Sequence, residues 1–64
     1  MAKSKLQKCM KILDDARRSI SAGNSEKAKE LYGLSREIYL LLEYHERKEV
    51  YHELNELYSR LKMH

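Results

Sequence analysis

Proline and threonine are absent from this chain, glycine occurs twice, at 23 and 33, and cysteine once, at 9. The β-branched residues Ile12, Ile20, Ile38 and Val50 are all that could favour strands. A sheet is thereby excluded, and the Leu, Glu, Lys, Arg and Ala that dominate suit helices. A lone Cys9 permits no intrachain disulfide, and its place on an apolar stripe makes it a core residue rather than a reactive one. The longest apolar run is Ile38-Tyr39-Leu40-Leu41-Leu42, far short of the ~20 residues a membrane span needs. The early lysines (Lys3, Lys5, Lys8, Lys11) are not followed by the unbroken apolar stretch of an export signal. A cytoplasmic location, with no membrane contact, is the expectation.

What is present bounds the function. Sixty-four residues allow one helical domain, 1–64, at the size where a single core barely suffices. Ordering costs about 1.5 kcal/mol per residue, which nearly cancels the gain from burial in so small a chain. Such a chain must pack tightly or borrow core from a partner, and it has no room for an enzyme's enclosed pocket. Hydrophobic residues at 42% exclude a disordered tail. The net charge of +3 is uneven, because residues 1–22 hold most of the basic excess. A first helix of that character could touch an anion, but the total is too small to announce a nucleic-acid binder.

Periodicity sets out the helices. Leu6, Cys9, Met10, Leu13, Ala16 and Ile20 recur at three- and four-residue steps, with Ile12 widening the stripe, and predict a helix over 4–22. Asp14 stands within helical reach of Arg17 and Arg18. Gly23 offers a left-handed stop, and Asn24 an N-cap followed by Glu26 in the first turn. So short a corner makes the next helix, 25–43, antiparallel to the first. Its core stripe is Ala28, Leu31, Ser35, Ile38 and Leu42, broadened by Tyr32, Leu34, Tyr39 and Leu41, which asks for two neighbours rather than one.

The end of that helix carries no glycine or proline. The last apolar stripe is Val50, Leu54, Leu57 and Leu61. Along one straight helix the face would swing by about 160° between Ile38 and Leu54. A bend within Glu43–Arg47 restores it and predicts a third helix over 46–63. The fold class expected is all-α, a compact three-helix up-down-up bundle. The alternative is a helical hairpin with one long arm, dimerising through it.

The stretch ARRSISAGNSEKAKELY resembles a tetratricopeptide-type hairpin across roughly residues 9–35. Ala16, Gly23, Ala28 and Tyr32 match that repeat's small residue, turn glycine, and the alanine and aromatic of its second helix. Ile12 stands where the repeat usually has tryptophan, and Leu42 occupies the region of its closing proline. A hairpin covered by one further helix also looks like the three-helix MIT modules that dock short helical peptides. KEVYHELNELYSRL is similar to small helical modules of archaeal proteins. These resemblances imply a scaffold for helix–helix recognition and no chemistry.

Candidate sites follow from the same stripes. His45, Glu49, His52 and Glu56 share one side of a helix at spacings that suit a divalent metal, but that side faces away from Val50, Leu54, Leu57 and Leu61. A solvated polar face is the better reading, with no metal and no cofactor implied. Asp14 and Asp15 diverge by about 100° and cannot share a proton, and no glycine-rich phosphate loop exists, so no enzyme is expected. Lys3, Lys5, Lys8, Lys11, Arg17 and Arg18 could neutralise phosphates, the basis of an alternative nucleic-acid-binding reading. The favoured reading is protein interaction: a helical partner, or a second copy, docked on exposed apolar and tyrosine surface. Gly33, Leu40 and Tyr44 fall opposite the main stripe of the second helix, where a glycine has no packing reason of its own. Tyr51 and Tyr58 flank the seam of the third, where a ring can pack while its hydroxyl stays wet.

Overall fold

The computed structural model describes residues 4–61. It contains α1 (Lys5–Ser21), α2 (Ser25–Leu41) and α3 (Tyr44–Leu61). The first begins at Ser4, whose side chain accepts from the Gln7 N–H at 3.2 Å, satisfying one of the donors a helix start leaves open. It ends in the hydrogen-bond pair that a left-handed glycine permits. Gly23 has φ +81°, its N–H donates to the Ile20 carbonyl at 3.0 Å, and the Asn24 N–H reaches back to Ser19 at 2.8 Å. Asn24 then turns donor to acceptor and caps α2 through the Lys27 N–H at 3.2 Å. Two residues thus stop one helix and start its antiparallel neighbour.

The second corner uses none of that chemistry. Leu42 adopts an extended conformation (φ −77°, ψ 155°), and its side chain is buried. Glu43 stands ahead of α3 and accepts from Glu46 and Arg47 N–H groups at 3.0 and 2.9 Å. The Glu46 carboxylate returns to the Glu43 N–H at 3.1 Å, which is one half of a capping box. Arg47 bridges the break, donating from Nε to the Leu42 carbonyl at 3.1 Å and from Nη2 to the Leu40 carbonyl at 3.2 Å. A cation on the open carbonyls of a helix end is favoured by both hydrogen bonding and the helix dipole.

The corner corrects the boundaries expected from periodicity. The expected bend within Glu43–Arg47 falls slightly earlier, at Leu42–Glu43, and α3 starts at Tyr44 rather than 46. The last expected residues of that helix, 62 and 63, lie outside the described residues. Tyr44 therefore opens α3 instead of closing α2, and the long unbroken arm does not form. The cause is Leu42: turning out of the helix lets its side chain enter the core, which a continuing helix would carry past.

Cys9, Leu13, Ala16, Tyr32, Leu42, Val50, Leu54 and Leu57 form one buried cluster, with Leu6, Ile20, Leu31, Ile38, Tyr39 and Leu61 packed against it. Between α1 and α2 the buried residues are small: Cys9, Ala16, Ala28 and Ser35 are all fully covered. Small side chains let the two backbones approach, and the Cys9 Sγ donates to the Ser35 carbonyl at 3.4 Å. Ser35 satisfies its own hydroxyl on the Tyr32 carbonyl at 2.7 Å, so a buried polar group costs little here. Tyr32, midway along α2, meets Tyr58, near the end of α3, with ring centroids 5.8 Å apart. The two-residue corner at Leu42–Glu43 turns α3 back along α2, giving the up-down-up bundle. Three stripe residues depart from the expected core: Met10, Leu34 and Leu41 are exposed, because no other helix among the described residues covers the faces they occupy.

The two glycines carry opposite expectations. Gly23→Ala should destabilise by about 1–2 kcal/mol, since a Cβ is strained at positive φ. Gly33→Ala adds a Cβ that meets nothing within 4 Å and should stabilise the isolated chain by about 0.4–1 kcal/mol. Urea titration of the two variants checks both signs.

Candidate functional site

The residues expected to bind a partner are not brought into one patch. Gly33 lies in a shallow depression with Glu30, Leu34 and Glu37. Tyr44 and Tyr51 line a separate groove with Tyr39, Arg47 and Lys48, and the Lys48 ammonium sits 5.1 Å from the centroid of the Tyr44 ring, a cation–π distance. Leu40 is 61% exposed and Tyr44 73% exposed. Tyr58 is occupied differently, its ring tilted by 40° against Tyr32, so it closes the edge of the α2–α3 seam. The tyrosine groove exists because Arg47, bound to the Leu40 and Leu42 carbonyls, holds the start of α3 against the end of α2.

A second surface lies on the opposite side of the hairpin. Leu31, Leu34, Ile38 and Leu41 step by three, four and three along α2, which places them on one stripe. Ile38 shares a groove with Gln7, Lys8, Lys11, Ile12 and Asp15 of α1, and Leu31 shares another with Asp15, Ser19 and Lys27. α3 takes the other side: it meets α2 through Tyr32 and α1 through the ion pair of Arg17 with Glu53 at 3.8 Å. The open face is missed when Leu34 and Leu41 are counted as mere broadening of the core. The width of the apolar sector asks for two neighbours, and spacing alone does not say which part of it they leave open.

The basic residues of α1 are divided. Arg18 pairs with Asp14 at 3.1 Å and Arg17 with Glu53, while Lys8 and Lys11 edge the groove beside Ile12. Lys5 is exposed at the helix start, and Lys3 lies outside the described residues. On α3, His45, Glu49, His52 and Glu56 are all exposed, and Glu56 is engaged by Arg60 at 3.7 Å. Among the described residues, no three His, Cys, Asp or Glu side chains gather where they could hold a metal ion. No helix among those residues is long and apolar enough to cross a membrane.

The surroundings of Cys9 move its thiol clearly. Burial raises its thiol above the ordinary value, and the nearby Glu53 carboxylate adds to the rise. Both effects disfavour the thiolate, the nucleophilic form. The Glu53 Oε2 atom is itself buried without a hydrogen-bond partner, so this negative charge is held close to the core at some cost. The site is built to keep sulfur protonated and inert.

The chain was compared with protein-family models, curated proteins and solved structures, and none of them matches it.

A folded-state thiol pKa above the unfolded one means that the unfolded chain releases its proton first as pH rises. Stability should be at its full value below about pH 9, the ordinary thiol value, and fall as pH climbs from there towards the folded value. Chemical denaturation of the native chain and Cys9→Ala across that range checks this: the variant, less stable at neutral pH, should lose less on the alkaline side.

Proposed function

We propose that this chain is a non-enzymatic helix-docking module, which receives a second copy of itself or a helix of another protein. The observation that carries this reading is the amount of large apolar surface left uncovered. Leu34, Leu40, Leu41, Tyr44 and Tyr51 are each at least half exposed in a chain with only a thin core. They form surfaces on both sides of α2, and contiguous exposed apolar surface is the usual mark of a binding site. A small domain also gains from such contacts the burial it lacks alone.

The resemblance to tetratricopeptide hairpins and MIT modules supports the same reading. Support for it comes from the burial of the small residues Ala16 and Ala28 and from the left-handed conformation of Gly23 at the corner. In both of those architectures the spare faces of a helical hairpin receive another helix. The nucleic-acid alternative loses support from the ion pairs, since Arg17 and Arg18 already face carboxylates. What remains is a short lysine edge without a groove-reading helix.

Sedimentation of the purified chain from micromolar to millimolar concentration tests self-association. The weight-average mass should rise above the 7.7 kDa of one copy; a mass fixed at that value throughout would leave only the docking of another chain. The double variant Leu40→Lys, Tyr44→Lys tests whether these side chains are free for a partner. Its helicity should stay unchanged and its melting temperature should move by no more than about 4 °C, the effect of roughly half a kcal/mol typical of a surface substitution. A much larger drop would show that they seal the bundle.

A further inference from the structure

We infer that the tyrosine groove between α2 and α3 is a binding site for a single nucleic-acid strand, whose bases lie on its rings and whose phosphates meet the cations between them. The inference goes beyond the docking function and does not depend on it. The chain's five tyrosines all border this crease. Tyr39, Tyr44 and Tyr51 line the groove, and Tyr58 with Tyr32 closes the seam beside it.

The charges of both helices are sorted around that crease. Along α3, Tyr44, Arg47, Lys48, Tyr51, Asn55 and Tyr58 fall within about 100° of arc, while Glu46, Glu49, Glu53 and Glu56 are centred almost opposite. Along α2, Arg36 shares a side with Tyr32 and Tyr39, and Glu26, Glu30 and Glu37 are centred about 130° away. The groove is lined by Arg47 and Lys48 and by no carboxylate. Glu43 precedes it at the corner without lining it, and the Glu46 carboxylate is turned to the Glu43 N–H. Arg36, Arg47 and Lys48 join no ion pair among the described residues. Arg47 keeps its charge although two of its donors serve carbonyls. The groove therefore calls for an anion, which the paired arginines of α1 do not.

The order of the residues says which anion. Ring, cations and ring follow one another along α3: Tyr44, then Arg47 and Lys48, then Tyr51. A single strand repeats flat base and phosphate in the same alternation. Aromatic platforms in a basic groove hold such strands without sequence preference and without a groove-reading helix. An acidic helix fits less well, because it would need an unbroken apolar strip with cations at its edges. Here the cations interrupt the strip, and the Lys48 ammonium lies beside the very ring that would carry a base. A duplex keeps its base faces inside the stack, out of reach of the tyrosines.

Titration of the full chain with short labelled oligo-dT and oligo-U strands tests this. Both should bind at low salt, with log affinity falling against log salt by about 0.7 for each phosphate neutralised. Tyrosine emission should be quenched on binding, a sign of ring stacking that charge attraction alone would not give. The variants Tyr44→Leu, Tyr51→Leu and Arg36→Gln, Lys48→Gln alter exposed side chains, leave Arg47 to hold the corner, and should keep the native circular dichroism. Each should weaken binding at least about tenfold, while Lys8→Gln, Lys11→Gln on α1 should change it by less than about twofold. Binding of DNA alone or RNA alone would support the groove and name its strand. Absence of binding at low salt, or loss through the α1 variant in place of the groove variants, overturns the inference. Duplex DNA or poly-glutamate bound as tightly as the single strands overturns it as well, the second by making the groove a site for acidic protein.

Discussion

The architecture depends on the turn that Leu42 makes out of α2. One residue in an extended conformation drops its side chain into the core and resets the phase of everything after it. Without that reset, Val50, Leu54 and Leu57 would project to a different side from Ala28, Tyr32 and Ser35, and the chain would be a long two-faced rod. With it, the three stripes close on a single cluster. The turn contains neither glycine nor proline. It is held by Arg47 on the Leu40 and Leu42 carbonyls and by Glu46 on the Glu43 N–H, so the first turn of α3 supplies the cap of both helices.

The same arrangement determines what is left over. α1 and α2 meet through Cys9, Ala16, Ala28 and Ser35, which bring the backbones close but contribute little apolar area of their own. The larger residues of α2 are thereby pushed to its flanks. Tyr32 and Tyr39 go towards α3, and Leu31, Leu34, Ile38 and Leu41 towards the side away from it, where no further helix stands among the described residues. A small domain that uses small residues for its tightest contact buries fewer large ones. Its capacity for docking and its thin core are two results of one choice of side chains.

Much of this was legible in the residues. Gly23 followed by Asn24 announced the first corner, and the angular mismatch between Ile38 and Leu54 announced a third helix. The place of the second break was less legible, because its determinants are a glutamate and an arginine acting on backbone groups. Glu46 and Arg47 look like ordinary surface charges until the carbonyls they cap are known. With the break ahead of Tyr44, that residue opens α3 and lines a groove with Tyr39 and Tyr51, while Gly33 lies in another depression with Leu34. Met10, Leu34 and Leu41 belong to apolar stripes by spacing, and spacing alone does not say which part of a wide stripe is given a neighbour. The histidines, by contrast, could be placed on the wet side of α3 from angles alone.

The central claim is that one copy of the chain folds back at Leu42–Glu43. A spin-label distance measurement between exposed Lys29 on α2 and exposed Ser59 on α3, in a Cys9→Ala background diluted with unlabelled chain, tests it most directly. The folded-back bundle, whose longest extent is 33 Å, predicts a single distribution well below that length. A continuous helix would separate the same positions by about 45 Å at 1.5 Å per residue, and a peak there would contradict the account.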